Sequence, residues 1–279
     1  VDYSRMARWA MVGYWVSIAL LLAVHVLGTS RNGARRWLDL GPIQFQPSEL
    51  AKLTFLFAMA NFLARPSSEL RSPSVFLKAL MLTLLPLGLI LKQPDLGSSL
   101  VFLPITLVMM LVAGVPQRFV IKLLGGAFLI VSLIAIDIFV APENWRLIRL
   151  QDYQRERLLV YFNADFAPAS ATPEQRQRAA QRKRQMSWNV EQALISVGSG
   201  GFTGKGWREG TQHRLGYLPR LGAHNDFIFS VIAEERGFIG SVAVVTLYGI
   251  VLFSGIKTAG ESRDRLGRLL ATGIVTLFF

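Results

Sequence analysis

A few acidic and basic side chains in this sequence stand where their neighbours give them chemical use. Asp226, in His224-Asn225-Asp226, precedes Phe227-Ile228-Phe229 and a long apolar run. A carboxylate against apolar walls holds its proton more tightly and can act as a general base. The same position suits a helix N-cap, since Asp is among the best caps and a helical run follows. The pattern leaves both readings open. Asp95, in Lys92-Gln93-Pro94-Asp95-Leu96-Gly97, sits in a Pro-Asp turn signal and could cap the next helix or orient a substrate. Glu49 and Lys52 are three apart at the start of an apolar run, so they share a helical face and can pair. Charge at membrane depth is costly, so such a pair either lines a cavity or is structural. Arg31, Arg35, Arg36 and Trp37 lie together in RNGARRWLDLG. Arginine suits bidentate binding of pyrophosphate, and tryptophan suits a sugar face or the membrane interface. Plain interfacial anchoring would account for them equally well.

The glycine-dense stretch GSGGFTGKGW (198–207) first suggests a phosphate loop. It fails that test. A Walker loop needs Gly five positions before its Gly-Lys and Ser or Thr after the Lys; Ser199 and Gly206 stand there. GxGxxG counted from Gly198 fails at Thr203. Two readings remain: a tight turn using positive φ, or a backbone amide cradle for a lipid-linked pyrophosphate with Lys205 as a point charge. With no cysteine, and only His25, His213 and His224 as imidazoles, no metal ligand set is visible. Asp137, late in an apolar run, is given no role.

The elements that must position these residues are membrane helices. The 279 residues are 52% hydrophobic and only 17% charged, against about a quarter charged for a soluble domain. Apolar stretches at 9–28, 47–64, 75–91, 98–114, 119–140 and 238–256 have the roughly 17–25 residues needed to cross a bilayer. A seventh begins near 269 and is too short to cross. The first residue is Val and the last lies inside this run, which reads as a fragment of a longer chain. No small-residue cleavage site follows the first span, so it is not a signal peptide. The net charge of +12 then points to anionic membrane lipid and positive-inside loops, not to nucleic acid.

Lysine and arginine in the short connections set an orientation. Arg5, Arg8, Arg65, Arg71, Arg118, Lys122, Lys257, Arg263, Arg265 and Arg268 fall on one side; Arg31, Arg35, Arg36 and Lys92 fall on the other. The richer side should be cytoplasmic. The expected architecture is all-α: a polytopic transmembrane helical bundle with one large extracytoplasmic loop region. Residues 1–140 hold about five spans, 141–237 form the outer loop, and 238–279 return to the membrane with a truncated last helix. Within the loop, 169–186 (ASATPEQRQRAAQRKRQM) reads as an exposed helix or mobile insert, and 188–197 (WNVEQALISV) as a short amphipathic helix.

Taken together, six ordered segments resemble the SEDS (shape, elongation, division and sporulation) family of membrane glycosyltransferases. They are GARRWLDLGPIQFQPSELAKL (33–53), KQPDLGSSL (92–100), DYQRERL (152–158), ALISVGSGGFTGKGWREGTQ (193–212), LGYLP (215–219) and HNDFIFSVIAEERGFIG (224–240). GKGWREGTQ looks more like the elongation branch, RodA, than the division branch, FtsW. The resemblance implies a multi-pass protein of the bacterial inner membrane that polymerises lipid II into peptidoglycan strands on the outer side. It implies a class B penicillin-binding protein as partner. The family's essential loop acid falls on Asp226, its loop Trp on Trp37 and the neighbouring Arg on Arg36; Asp95, Glu49 and Lys52 also match motif positions. With these, Lys205, Arg208 and His224 complete the candidate substrate-binding set, and a divalent cation (Mg or Mn) could assist the leaving pyrophosphate. Two departures stand out. The family's Pro-Glu-x-His-Thr-Asp is here Pro219-Arg220-Leu221-Gly222-Ala223-His224-Asn225-Asp226, and the 169–186 insert is longer than usual. A lipid II flippase and a non-catalytic scaffold for a transpeptidase are the competing readings.

Overall fold

The computed structural model describes residues 3–31, 34–39, 44–93, 95–139, 172–218 and 226–279. Over these residues the protein is mostly helical, as the apolar runs predict. Eight helices precede residue 140: α1 Tyr3–Arg8, α2 Ala10–Leu27, α3 Pro47–Leu63, α4 Ser67–Leu70, α5 Pro73–Leu91, α6 Leu96–Leu100, α7 Phe102–Ala113 and α8 Gln117–Phe139. Then come α9 Pro173–Ser199, α10 Thr211–Arg214, α11 Ile228–Glu261 and α12 Arg265–Phe278. Pro47, Pro73 and Pro173 open their helices at the first turn, where a missing N–H costs nothing. Gly114 closes α7 at φ 84°, a left-handed stop that a side chain would strain.

The chain divides into two compact units, residues 1–128 with 250–279, and residues 129–249. The first is a membrane bundle. Tyr14 of α2, Phe55, Leu56 and Met59 of α3, Phe102, Ile105 and Met109 of α7, and Leu269 and Leu270 of α12 form its core. Phe55 and Phe102 meet with ring centroids 4.9 Å apart. The Tyr14 hydroxyl donates to the Leu82 carbonyl at 2.9 Å, tying α2 to α5. At the α11–α12 connection, hydrogen bonds from the Tyr3 hydroxyl (2.7 Å) and the Gly267 amide (2.9 Å) hold the Asp264 carboxyl below its usual range.

Among the described residues, four helical stretches are long and apolar enough to cross a membrane: Ala10–Leu27, Pro73–Leu91, Leu96–Ala113 and Ile228–Glu261. Their outer faces carry large apolar side chains such as Leu22, Leu77, Val251 and Phe253. That is the surface a lipid-facing bundle needs.

Three features differ from the expectation. The 29–46 connection is not a plain loop: β1 Thr29–Arg31, β2 Ala34–Asp39 and β3 Gln44–Phe45 make an antiparallel sheet in that order. Residues 188–197 are not a separate short helix but the end of α9. A capping box at Thr172 and Gln175 starts α9, and the Ala, Gln and Arg run propagates it. Third, α11 begins ten residues before the expected span and passes through a non-helical point at Gly237 (φ 64°, ψ −158°).

Candidate functional site

In the second unit the glycine stretch and the kinked helix α11 are built into each other. An unbroken helix would bond the Phe238 and Ile239 amides to the Glu234 and Glu235 carbonyls. The turn at Gly237 separates those groups, and the stretch after α9 takes up all four. Phe238 N–H donates to Gly201 O (2.9 Å) and Ile239 N–H to Phe202 O (3.2 Å). In return Lys205 N–H donates to Glu234 O (3.0 Å) and Gly206 N–H to Glu235 O (3.1 Å). A buried backbone group left unpaired is costly, so the exchange makes the kink tenable. It also explains the glycines. A Cβ on Gly204, which has φ 86°, would overlap the Glu235 carbonyl, and one on Gly237 would overlap the Gly204 amide nitrogen.

Beneath this backbone lies Glu234, fully buried. Its Oε1 accepts from Lys205 Nζ (2.6 Å), Thr211 Oγ1 (3.0 Å), Gln212 N–H (3.1 Å) and Ser199 Oγ (3.4 Å). The Ser196 hydroxyl lies 3.1 Å from Oε2. This is a donor set for a carboxylate. Lys205 is equally committed: its three N–H groups face Glu234 Oε1, Ser199 Oγ (2.8 Å) and Thr211 Oγ1 (2.7 Å). An ammonium has three donors, so Lys205 has none left over for a phosphate in this arrangement. Glu234 was not singled out from the sequence, where AEERGFIG reads as a helical lead-in. The available signal was a glutamate inside a largely apolar helix, which must find a cation or be exposed.

Past Lys205 the chain makes a tight turn, closed by Glu209 N–H donating to Gly206 O at 3.2 Å. Arg208 sits in it at φ 63°, left-handed backbone that a non-glycine residue occupies at a cost. The turn exposes Arg208 and Trp207, and the Arg236 guanidinium carbon stands 5.6 Å from the Trp207 ring centroid. Asp226 is exposed, two residues before α11. It makes no hydrogen bond or ion pair among the described residues, so the capping alternative is not realised there. His224 and the departure at 219–225 lie outside the described residues, as does the DYQRERL segment.

In the first unit, Asp95 caps α6. Ser98 N–H donates to Oδ1 (3.1 Å) and the Ser98 hydroxyl to Oδ2 (3.0 Å). The Arg36 side chain reaches the same corner: Nη1 lies 3.8 Å from Asp95 Oδ2, and Nε donates to Gln93 O at 3.1 Å. The Gln93 side chain, buried, donates to Leu21 O at 3.1 Å, so the corner is fixed to the end of α2. Trp37, half-buried, pairs with Thr29 across the sheet and follows Arg36 on β2. Glu49 and Lys52 form the expected pair at 2.9 Å, with Lys52 largely covered and Glu49 mostly exposed. Among the described residues, no three His, Asp or Glu side chains gather as a metal site.

Residues 1–279 match the FtsW/RodA/SpoVE family model, described as a cell cycle protein. The peptidoglycan glycosyltransferase MrdB of Escherichia coli K12 is 34% identical over 273 residues, which are 97% of this chain and 65% of MrdB. A probable peptidoglycan glycosyltransferase FtsW of Trichlorobacter lovleyi is 32% identical over 281 residues, 100% of this chain and 66% of that protein. The chain thus spans just under two thirds of the length of these curated relatives. Among solved structures, one described as structural coordination of polymerization and crosslinking by a peptidoglycan synthase complex aligns with TM-score 0.72 and 31% identity, covering 99% of this chain and 69% of its own. The Thermus thermophilus rod shape determining protein RodA aligns with TM-score 0.59 and 29% identity, covering 99% of this chain and 64% of its own.

Proposed function

The chain belongs to the FtsW/RodA/SpoVE (SEDS) family, and from that premise we propose that it is a peptidoglycan glycosyltransferase that polymerises lipid II during cell elongation. The active site faces outward from the bacterial inner membrane, and the partner is a class B penicillin-binding protein. The elongation assignment rests on GKGWREGTQ and on the likeness to the Thermus thermophilus rod shape determining protein RodA. The partner reading is supported by the crosslinking named for the similar synthase complex.

The observation that carries the catalytic assignment is the state of the two aspartates. Asp95 has both oxygens engaged by Ser98 and faces Arg36. Asp226 is exposed, with no partner among the described residues, so its lone pairs are open to a substrate proton. A general base needs that freedom within hydrogen-bond reach of the proton it takes. In the proposed reaction Asp226 accepts the proton of the acceptor GlcNAc 4-hydroxyl. That oxygen attacks the anomeric carbon of the donor MurNAc, and the bond to the pyrophosphate oxygen breaks. Undecaprenyl pyrophosphate leaves with the electron pair, and the α-linked donor becomes a β-1,4 product. Charge developing on the pyrophosphate needs a cation where it forms. Arg208, exposed on its turn, suits that role, and Lys205 acts through Glu234. The described residues gather no ligand set for a divalent cation.

The test uses the full-length protein with its transpeptidase in liposomes, fed labelled lipid II. Polymer from wild type and none from folded Asp226→Asn is the expected result. Equal polymer from both removes Asp226 as the base. No polymer from either, with complex and substrate intact, moves the reading to a flippase or a scaffold.

A further inference from the structure

Deepening the catalytic reading above, and resting on it, we propose that Glu234 and Lys205 form a positioning clasp that fixes the Trp207–Arg208 turn against the helix that follows Asp226. Three separate segments converge on one carboxylate. Ser196 and Ser199 come from the end of α9, Lys205 from the glycine stretch, and Thr211 with the Gln212 amide from α10. Glu234 itself sits on α11, whose first turn follows Asp226 directly. The clasp also coincides with the backbone exchange: Lys205 and Glu234 are bonded to each other both through their side chains (2.6 Å) and from Lys205 N–H to Glu234 O (3.0 Å). A residue doubly tied in this way transmits any loosening to its neighbour Gly206, which starts the turn that holds Arg208 in left-handed backbone.

The chemistry explains why a charge pair is used at this point. The four backbone bonds join Gly201, Phe202, Lys205 and Gly206 to the kink, but they do not hold the end of α9 or α10. A single buried carboxylate has one place where all its donors converge, so it fixes register. Misplacing a catalytic or charge-stabilising group by about 1 Å can lower the rate on the order of 100-fold. Neither Glu234 nor Lys205 is placed on the substrate by this reading. Their effect therefore belongs in kcat, while KM for lipid II stays near wild type.

The experiment compares Lys205→Met, Glu234→Gln, the double variant and Lys205→Arg in the full-length protein with its transpeptidase. Polymerisation is measured per folded molecule, and amide hydrogen exchange is followed over 200–212 and 226–239. We expect each neutralising single variant to lower kcat about 10- to 100-fold at unchanged KM. The double variant should lose no more than the worse single one, Lys205→Arg should recover part of the rate, and exchange should quicken in both segments together. The double variant has no orphaned buried charge, so it keeps the test alive if a single variant fails to fold. Wild-type exchange in the folded variants overturns the clasp whatever the activity. A rise in KM for Lys205→Met that is the same with and without Glu234→Gln also overturns it, because Lys205 then meets the substrate directly. If wild type itself makes no polymer, the glycosyltransferase reading fails, while exchange still decides the clasp.

Discussion

Replacing Gly237 with alanine tests the interlocked kink most directly. The backbone there, φ 64° and ψ −158°, lies in a region essentially reserved for glycine, and holding another residue in it costs about 1–3 kcal/mol. The added Cβ would also overlap the Gly204 amide nitrogen and stand 2.7 Å from the Phe202 carbonyl carbon and oxygen. Neither neighbour is a side-chain end that can swing away. The chain can keep the loop in place and bear the strain, or release it and lose the pairing of Phe238, Ile239, Lys205 and Gly206. Each such bond has a net worth of about 0.5–1.5 kcal/mol, so release costs at least as much as the strain. A loss of about 2–3 kcal/mol in local stability follows either way, or roughly 30- to 150-fold faster exchange at those four amides. The assay is hydrogen exchange with mass spectrometry on the full-length protein in detergent. Gly249→Ala, on the same helix with nothing within 4 Å of the new Cβ, is the control and should exchange no faster than wild type. Wild-type protection at the four amides of a folded Gly237→Ala would refute the account of the kink.

At the other corner, Asp95→Ala should cost about 1 kcal/mol through the lost cap of α6, while Asp95→Asn, which still offers an oxygen to Ser98, should cost less. The Arg36 contact at 3.8 Å, with 29% of that side chain exposed, adds well under 1 kcal/mol. Thermal unfolding in detergent checks the order, and equal losses would show that Ser98 is not the partner that matters. Arg208→Gly should relieve the left-handed strain and gain about 0.5–1 kcal/mol. The same change should lower polymerisation about 10-fold if Arg208 meets the pyrophosphate; full activity in a stabilised variant would leave Arg208 with no catalytic part.

The bundle was legible because continuous apolar runs need no partner to declare themselves: the runs at 9–28, 47–64 and 75–91 became Ala10–Leu27, Pro47–Leu63 and Pro73–Leu91. The Glu49–Lys52 pair was legible because three-residue spacing fixes a helical face. The cap at Asp95 was one of two readings, and the local Ser98 bonds decided for it. The interlock was not legible. AEERGFIG has two glycines, Gly237 and Gly240, in a helical run, which sequence tolerates as a small penalty, and GSGGFTGKGW has glycines that suit any tight turn. Each half explains the other only when the two are in contact. The β-strands at 29–45 were missed because two of them span only two or three residues, too few to show alternation.

The placement of polar groups also bears on what the membrane bundle does. A route that carries a lipid headgroup through a bundle needs polar side chains facing an opening at successive depths. Between the helices of the first unit, three buried hydroxyls instead turn back on their own helices. Ser17 donates to Tyr14 O, Thr83 to Ala79 O and Thr106 to Phe102 O, at 2.7, 3.0 and 2.8 Å. Where they do meet across helices, Thr54 with Ser17 at 2.9 Å and Thr83 with Thr106 at 2.8 Å, the pairs bridge closely packed neighbours. Ser17, Thr83 and Thr106 are all buried. Such pairs hold helices together, as interhelical hydroxyls do in membranes. The ionic groups with defined partners lie instead at helix starts, connections and the kink: Arg36 with Asp95 before α6, Glu49 with Lys52 at the first turns of α3, and Lys205 with Glu234 ahead of Gly237. Over the described residues, then, buried hydroxyls pin neighbouring helices of the first unit to one another, while these ion pairs stand at a helix start, a connection and a kink.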